Sequence, residues 1–265
     1  MINNAIRPEA ISKLISYSSP KLSPDGQILA LVKTWINHRS GEKGSKIVFK
    51  TIPNGKFNTF VSGNNESGPK FSPNNRLLAF IRADISGKPQ VWYTSISEVK
   101  SVQITSASEG VLDFVWAPGS DKIAYVAVTD SDKNDNDHVK VVNRLRYRDD
   151  TLGWRGDSHS HIFVIGLNGK DLRQITSGDW DDFCPVWSPD GQNIAFISGR
   201  SSERDFRMHT QVYVIADSGG LPRIWSKGLY NIGGIGWSPD SKRLAAIGTD
   251  DENSMAWIQG WLYIL

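Results

Sequence analysis

Short stretches of alternating hydrophobic and polar residues recur five times along this chain. Each copy has an aromatic or Leu residue, then Ser or Ala, then Pro and a polar or glycine pair, followed by an apolar run. Six residues after each proline lies an alanine, with Leu or Ile just before it and Val or Ile two residues after it. The five copies begin at Leu22, Phe71, Trp116, Trp187 and Trp237 and contain Ala30, Ala79, Ala124, Ala195 and Ala245. This agreement identifies an internal repeat, which determines the architecture.

The repeat predicts a β-hairpin rather than a helix. Its prolines, Pro24, Pro73, Pro118, Pro189 and Pro239, are spaced 49, 45, 71 and 50 residues apart. Proline fixes the first φ angle of a turn, and the Asp-Gly or Asn-Asn that follows tolerates left-handed conformations. The apolar runs on both sides of the turn therefore form two paired strands.

Two further strands follow the hairpin in most repeats. A third strand, rich in β-branched and aromatic residues, is predicted at Lys46–Ile52, Gln90–Ile96, His161–Leu167, Gln211–Asp217 and Gly260–Leu265. A fourth, more polar strand is predicted at Phe57–Val61, Ser101–Thr105, Leu172–Thr176 and Pro222–Trp225. Four antiparallel strands every 45 to 50 residues are typical of a β-propeller blade. The sequence thus predicts an all-β fold, a β-propeller with five blades, the fifth incomplete.

The predicted domain organisation is a short lead-in followed by the propeller. Residues 1–18 are predicted to be a helical lead-in, because Pro8 suits a first helical turn and Ala10, Ile11, Leu14 and Ile15 share one helical face. The propeller is predicted over 19–265, with blades at about 19–63, 64–107, 108–178, 179–228 and 229–265. The fifth blade lacks a fourth strand, and natural proteins avoid a bare apolar edge strand. We therefore expect these residues to be part of a larger propeller and the N-terminal part of a longer protein; a complete five-bladed ring is the alternative.

Composition excludes several classes of partner. A net charge of +2, from 30 basic and 28 acidic residues, gives no electrostatic footprint for nucleic acid or for an anionic membrane. No apolar run approaches the roughly 20 residues that span a bilayer, and residues 1–8 lack the hydrophobic centre of a secretion signal. We therefore expect a cytoplasmic protein, in which self-association into a homo-oligomer is compatible with the fold. The single cysteine, Cys184, is expected to be a small buried hydrophobe.

The motifs resemble those of a known family. Trp-Ser-Pro-Asp-Gly followed by Ile-Ala-Phe-Ile is similar to the repeats of TolB-type and prolyl-oligopeptidase-type propellers. The segment Arg7–Ser16 resembles the opening of acylaminoacyl-peptidase and dipeptidyl-peptidase-like serine peptidases, and Asn143–Arg148 resembles a segment of their third blade. The stretch from His161 through Leu172–Gly178 to Trp187 matches the next blade boundary.

The resemblance implies a propeller that precedes an α/β-hydrolase domain carrying Ser, Asp and His. In such peptidases the propeller covers the active site, admits only short peptides and holds the hydrolase domain. This chain lacks the Gly-x-Ser-x-Gly pentapeptide of the nucleophile elbow, and the nearest stretch, Gly156–Ser160, has no second glycine. We therefore expect no catalytic residues and no cofactor within these residues. Two alternatives are a stand-alone TolB-like propeller that recruits a protein partner, and a truncated gene product without a role of its own.

The third repeat carries an insert at 129–160, where function is most often added to a repeat scaffold. Alternation would place Arg144, Arg146 and Arg148 on one face, beside Tyr147, as forked donors suited to carboxylates. This row is predicted to grip a substrate carboxylate or to dock the catalytic domain. The structural alternative is ion pairing with neighbouring acids, namely Asp149, Asp150 and Asp157.

No metal site is predicted. The acidic run Asp130–Asp137 superficially resembles a calcium loop, but Asp135 and Val141 occupy the positions that need Gly and Glu. His159 and His161 lie on one side of a strand near Asp157, yet no third ligand is evident. The aromatic residues are predicted to pack: Trp180, which lies among Asp179, Asp181 and Asp182, at the rim, and Trp116, Trp187 and Trp237 between blades.

Overall fold

The computed structural model describes most of the chain, and its strands fall into two compact units. The described residues are 10, 13–37, 40–59, 63, 65–96, 98, 100–129, 142, 144–149, 153–154, 158–207, 209–254 and 260–265. The units are Met1–Thr105 and Ser106–Leu265, and each is described by itself. In the described ranges there is no α-helix, and hence none that could cross a membrane.

Unit 1 contains two four-stranded antiparallel sheets, each with its strands in chain order. The first sheet consists of β1 (Ser16–Leu22), β2 (Ile28–Ile36), β3 (Lys43–Thr51) and β4 (Phe57–Thr59). The second consists of β5 (Ser67–Phe71), β6 (Leu77–Ala83), β7 (Pro89–Ser95) and β8 (Ser101–Gln103). Ala30 and Ile47 of the first sheet pack on Leu78 and Phe80 of the second, and all four are fully buried.

Unit 2 contains two four-stranded antiparallel sheets, one three-stranded antiparallel sheet and one small hairpin. The third sheet has β9 (Val111–Trp116), β10 (Lys122–Thr129), β13 (His159–Gly166) and β14 (Arg173–Gln174), and the hairpin has β11 (Arg148–Asp149) and β12 (Gly153–Trp154). The fourth has β15 (Asp182–Trp187), β16 (Asn193–Ser198), β17 (Gln211–Ala216) and β18 (Arg223–Ile224). The fifth has β19 (Tyr230–Trp237), β20 (Leu244–Thr249) and β21 (Trp261–Ile264). The predicted β-propeller fold with four-stranded antiparallel blades is confirmed.

Turn chemistry explains why the repeated motif has its residues. In four of the five turns the serine hydroxyl accepts a hydrogen bond from the backbone N–H five residues later, and it donates to the Asp or Asn two residues later. The acceptors are Ser23, Ser72, Ser188 and Ser238, at 2.8, 2.9, 2.9 and 3.0 Å. The last turn residue has a positive φ of 59 to 73°, at Gly26, Asn75, Ser120, Gly191 and Ser241. The motif therefore closes the hairpin that begins each blade.

The core of unit 2 lies between its sheets. Trp187 packs among residues of the third and fourth sheets, including Ala124, Val164 and Phe196. Trp237 packs against the cluster between the fourth and fifth sheets, and its indole Nε1–H donates to the Val186 carbonyl at 3.1 Å. These contacts agree with the predicted packing between blades for Trp187 and Trp237.

One expectation, about Cys184, is wrong, and another, about the helical lead-in, concerns mostly residues outside the described ranges. The prediction that Cys184 is buried is wrong, since its side chain is exposed. Cys184 has a φ of 51° at a β-bulge, where the pairing register shifts between Phe183 and Val186. A bulge breaks the two-residue alternation, so the side chain turns away from the core. The predicted helical lead-in lies largely outside the described residues, and its end at residue 18 is wrong, because strand β1 already begins at Ser16.

Candidate functional site

The predicted arginine row does not lie on one strand. Arg144 and Arg146 lie in a turn, and only Arg148 lies in a strand, the short β11. The prediction of one alternating face was therefore wrong, because the chain turns before that strand begins. Arg144 and Arg146 nevertheless line one cleft of unit 2, whereas Tyr147 and Arg148 are exposed and are not among the residues that line it.

We call this small pocket the Asp179 cleft. It has a volume of about 40 Å³, enough for a water molecule or a compact polar group. Four segments form it: the turn within the insert, the start of β13, the start of the fourth blade, and the loop between β16 and β17. Its lining residues are Arg144, Arg146, His159, Asp179, Trp180, Asp181, Gly199, Arg204 and Asp205.

Asp179 is the acceptor on which these segments converge. Arg144 Nη2 lies 2.5 Å from its Oδ2, Arg204 Nη2 bonds to the same oxygen, and His159 Nε2 lies 2.9 Å from Oδ1. The hydrogen bond from Arg144, supported by Arg204, lowers the pKa of Asp179 to about 2, against the smaller opposing effect of burial. Asp179 therefore stays ionised at neutral pH and links the insert to the β16–β17 loop.

The titration of Asp179 tests this arrangement. Because its pKa is depressed in the folded state, the ion pairs are fully formed above about pH 5, and their stabilisation is lost as pH falls towards 2. We expect NMR of the carboxyl carbon to give a midpoint near 2, and the variant Arg144→Gln to raise it towards the ordinary value of 3.8. The matched control is Arg173→Gln, on the exposed strand β14. A midpoint near 3.8 in the unaltered protein would contradict these contacts.

A buried ion network supports the floor of the cleft. Asp182 is fully buried; its Oδ1 accepts from Arg200 Nη2 at 2.7 Å, and its Oδ2 lies 3.1 Å from His161 Nδ1. The Arg200 guanidinium lies over the Trp180 and Tyr213 rings, at 4.8 and 4.6 Å from their centroids. These stacked contacts hold the indole in place.

Trp180 both packs and lines the cleft. Its ring lies against Gly178, where a Cβ atom would collide with the indole and where φ is +132°. Only glycine suits that position, because it has no Cβ atom to collide with the indole and it adopts a positive φ without strain. The sequence predicts that Trp180 packs at the rim, and the structure adds that one side of it faces polar groups of the cleft.

Sequence reasoning did not foresee the ion pairs of the cleft. It considered Asp149, Asp150 and Asp157 as partners for the arginines; Asp150 and Asp157 lie outside the described residues, and Arg144 pairs with Asp179 instead. It also passed over Arg200 and Arg204. The available signal was the loop at 199–207, where five of nine residues are charged.

The described residues give no support to a metal centre in the cleft. No group of three or more His, Cys, Asp or Glu side chains among them is arranged to hold an ion. The acidic run at 130–137 and Asp157 lie outside those residues. The arrangement that is seen, guanidinium groups around a carboxylate, is suited to recognising oxygen acceptors.

Comparison with known proteins finds sequence similarity to parts of two peptidases. No known family profile matches it. It is 24% identical over 220 residues to the uncharacterized peptidase YuxL of Bacillus subtilis, an alignment covering 79% of this chain and 34% of the relative. It is 25% identical over 152 residues to dipeptidyl-peptidase 5 of Porphyromonas gingivalis, covering 56% of this chain and 19% of the relative. The chain thus spans about a third or less of these curated relatives.

Solved structures agree on the fold. The acylaminoacyl peptidase of Pyrococcus horikoshii matches with a TM-score of 0.74 and 17% identity, over 96% of this chain and 39% of that one. The β-propeller domain of the Trilobed protease of Pyrococcus furiosus matches with a TM-score of 0.64 and 17% identity, over 96% of this chain and 69% of that one. TolB of Acinetobacter baumannii matches with a TM-score of 0.58 and 17% identity, over 94% of this chain and 51% of that one. The resemblance to peptidase and TolB-like propellers that the motifs indicated is confirmed.

Proposed function

We propose that this chain is the propeller portion of a serine peptidase similar to acylaminoacyl peptidase. In this proposal it docks an α/β-hydrolase domain and restricts access to the active site to short peptides. The observation that carries the proposal is the alignment with YuxL, which uses 79% of this chain but only 34% of that peptidase. The remaining two thirds of such a protein would have room for a catalytic domain.

Exposed apolar residues on the fifth sheet support docking against further protein. Ile247 is 50% exposed, and Leu262 and Ile264 are 69% and 65% exposed. Ile247 pairs with Leu262, and Ile264 with Ala245, so these side chains lie on one face of the sheet. An apolar face of this kind typically marks an interaction surface.

The proposed chemistry is acyl transfer through a serine outside these residues. Histidine would take the serine proton as the serine oxygen attacks the peptide carbonyl, and would return it to the amine that leaves when the C–N bond breaks. Water would then hydrolyse the acyl-enzyme, which releases the acid and restores the serine. The propeller's contribution would be steric, because a rigid wall of packed sheets admits narrow, short substrates. We therefore expect no acylation within residues 1–265.

Expression of the gene through its natural stop codon tests the proposal. A serine-reactive fluorophosphonate should label that product once per molecule, whereas residues 1–265 alone should not be labelled. The unlabelled product should cleave short peptides, with kcat/KM falling as the substrate lengthens, and labelling should abolish this cleavage. Absence of labelling in the complete product would exclude a serine peptidase and favour a TolB-like interaction module. Equal cleavage of short peptides and folded proteins would remove the proposed control of access.

A further inference from the structure

We propose that the Asp179 cleft is a binding site for a peptide carboxylate. Arg146 and Arg204 would be its main donors, and Trp180 would form the wall beside the neighbouring part of the peptide. The inference concerns binding by this chain alone and does not require that the complete protein be a peptidase.

One guanidinium of the cleft, that of Arg146, is not among the groups that bond to Asp179. Asp179 already bonds to Arg144, Arg204 and His159. Arg146 is exposed, and its Nη2 donates only to the carbonyl of Arg207, at 3.2 Å; no described carboxylate pairs with it. A guanidinium with five donors and one weak neutral acceptor retains most of its capacity to bind an anion.

Within the part of the chain that the structure describes, three buried donors around the cleft have no hydrogen-bond partner. They are Trp180 Nε1, Ser201 Oγ and Arg204 Nε. Indole and guanidinium N–H groups can only donate, so only an acceptor atom can satisfy them. Buried unpaired donors are rare in native proteins, and each one requires an explanation. Here they belong to the lining and to the loop that carries Arg204, which points to an acceptor-rich ligand.

The balance of charge favours a carboxylate over a phosphate. Three arginines line the cleft, but so do three aspartates, Asp179, Asp181 and Asp205. A dianion would meet this acidic surface at close range, whereas a single negative charge is matched by Arg146. The planar guanidinium also suits the two coplanar oxygens of a carboxylate. The small volume of the cleft admits a carboxyl group while the rest of the peptide stays outside.

Calorimetric titration of the 265-residue chain tests the proposal. The probes are acetyl-Ala-Ala with a free C-terminus, acetyl-Ala-Ala-amide, and acetyl-Ala-Glu-amide. We expect no binding of the neutral amide; binding of the first peptide assigns the site to a terminal carboxylate, and binding of the third to an acidic side chain. Absence of binding by both acids at millimolar concentration would overturn the proposal. Inorganic phosphate that bound as tightly as the peptides would overturn the choice of carboxylate.

Variants locate the site. Arg146→Gln should weaken peptide binding about tenfold or more, because a charge-assisted hydrogen bond is lost, while Arg146→Lys should retain part of the affinity. Arg204→Gln is a second test on another segment, and the control is Arg173→Gln on the exposed strand β14. Thermal unfolding would show that each variant is folded. Unchanged affinity in folded Arg146→Gln would place the ligand elsewhere. These experiments measure binding without catalysis, so their failure is distinct from failure of the proposed peptidase function.

Discussion

Replacing Asp182 by alanine should lower the free energy of unfolding by about 3–5 kcal/mol, because it leaves a buried guanidinium without its carboxylate. Asp182 has no exposed surface, and the Arg200 side chain is only 11% exposed. The same substitution deprives His161 of its 3.1 Å partner. Urea denaturation should show the loss as a lower midpoint with an unchanged slope.

A double-mutant cycle separates the ion pair from mere packing. If the cost comes from an uncompensated charge, Asp182→Ala combined with Arg200→Met should be less destabilising than the sum of the two single changes. The control is Asp250→Ala, at an exposed position, which should change stability by no more than about 0.5 kcal/mol. Strict additivity of the two buried changes would contradict an energetically coupled pair.

A similar buried ion pair occurs in unit 1. Glu66 lies seven residues before Pro73, as Asp182 lies seven before Pro189. Glu66 is fully buried, pairs with Arg82 at 2.6 Å, and accepts from the Ile47 N–H of the first sheet at 3.0 Å. Asp182 likewise reaches back to the preceding sheet through His161. In both blades a buried carboxylate therefore links neighbouring sheets. Burying a carboxylate costs desolvation free energy, so its hydrogen-bond partners must be held in place to offset that cost.

The sequence correctly predicted the turns and strands that the repeated motif encodes. The Ser-Pro-Asp-Gly turn and the apolar run beyond it depend on local chemistry, so the strands around Ala195 could be located from neighbouring residues alone. The turn hydrogen bonds of the other four copies confirm that logic, and Ala117 replaces the serine in the third copy, so the third turn has no hydroxyl at that position.

The site was less predictable, because long-range contacts create it. Arg144 and Asp179 are 35 residues apart, and Arg204 approaches from a further loop, 25 residues beyond Asp179. No local pattern encodes such a pairing. Arg144–Arg148 alternates as a strand would, but the chain turns there and only Arg148 enters a strand, so local alternation gave the wrong prediction. The exposure of Cys184 was also not predicted, because the sequence did not reveal the β-bulge that turns its side chain outward.

Truncating Phe196 to alanine should cost about 3–5 kcal/mol of unfolding free energy, because it opens a cavity between the third and fourth sheets. Phe196 is fully buried in the cluster that contains Ile162 and Trp187, and it stacks on Tyr213 with centroids 5.9 Å apart. The control is Ile247→Ala, where the side chain is already half exposed and about 1 kcal/mol or less is expected.

Phe196→Ala also tests whether the core and the Asp179 cleft form one cooperative unit. Arg200 lies 5.2 Å from the Phe196 ring centroid and 4.8 Å from that of Trp180, so it contacts both the core and the cleft wall. If packing beneath Arg200 positions the cleft, the truncation should raise the pKa of Asp179 above its value of about 2, although Phe196 carries no charge. A loss of stability with an unchanged Asp179 titration would instead show that the Arg144 and Arg204 ion pairs hold the cleft independently of the core.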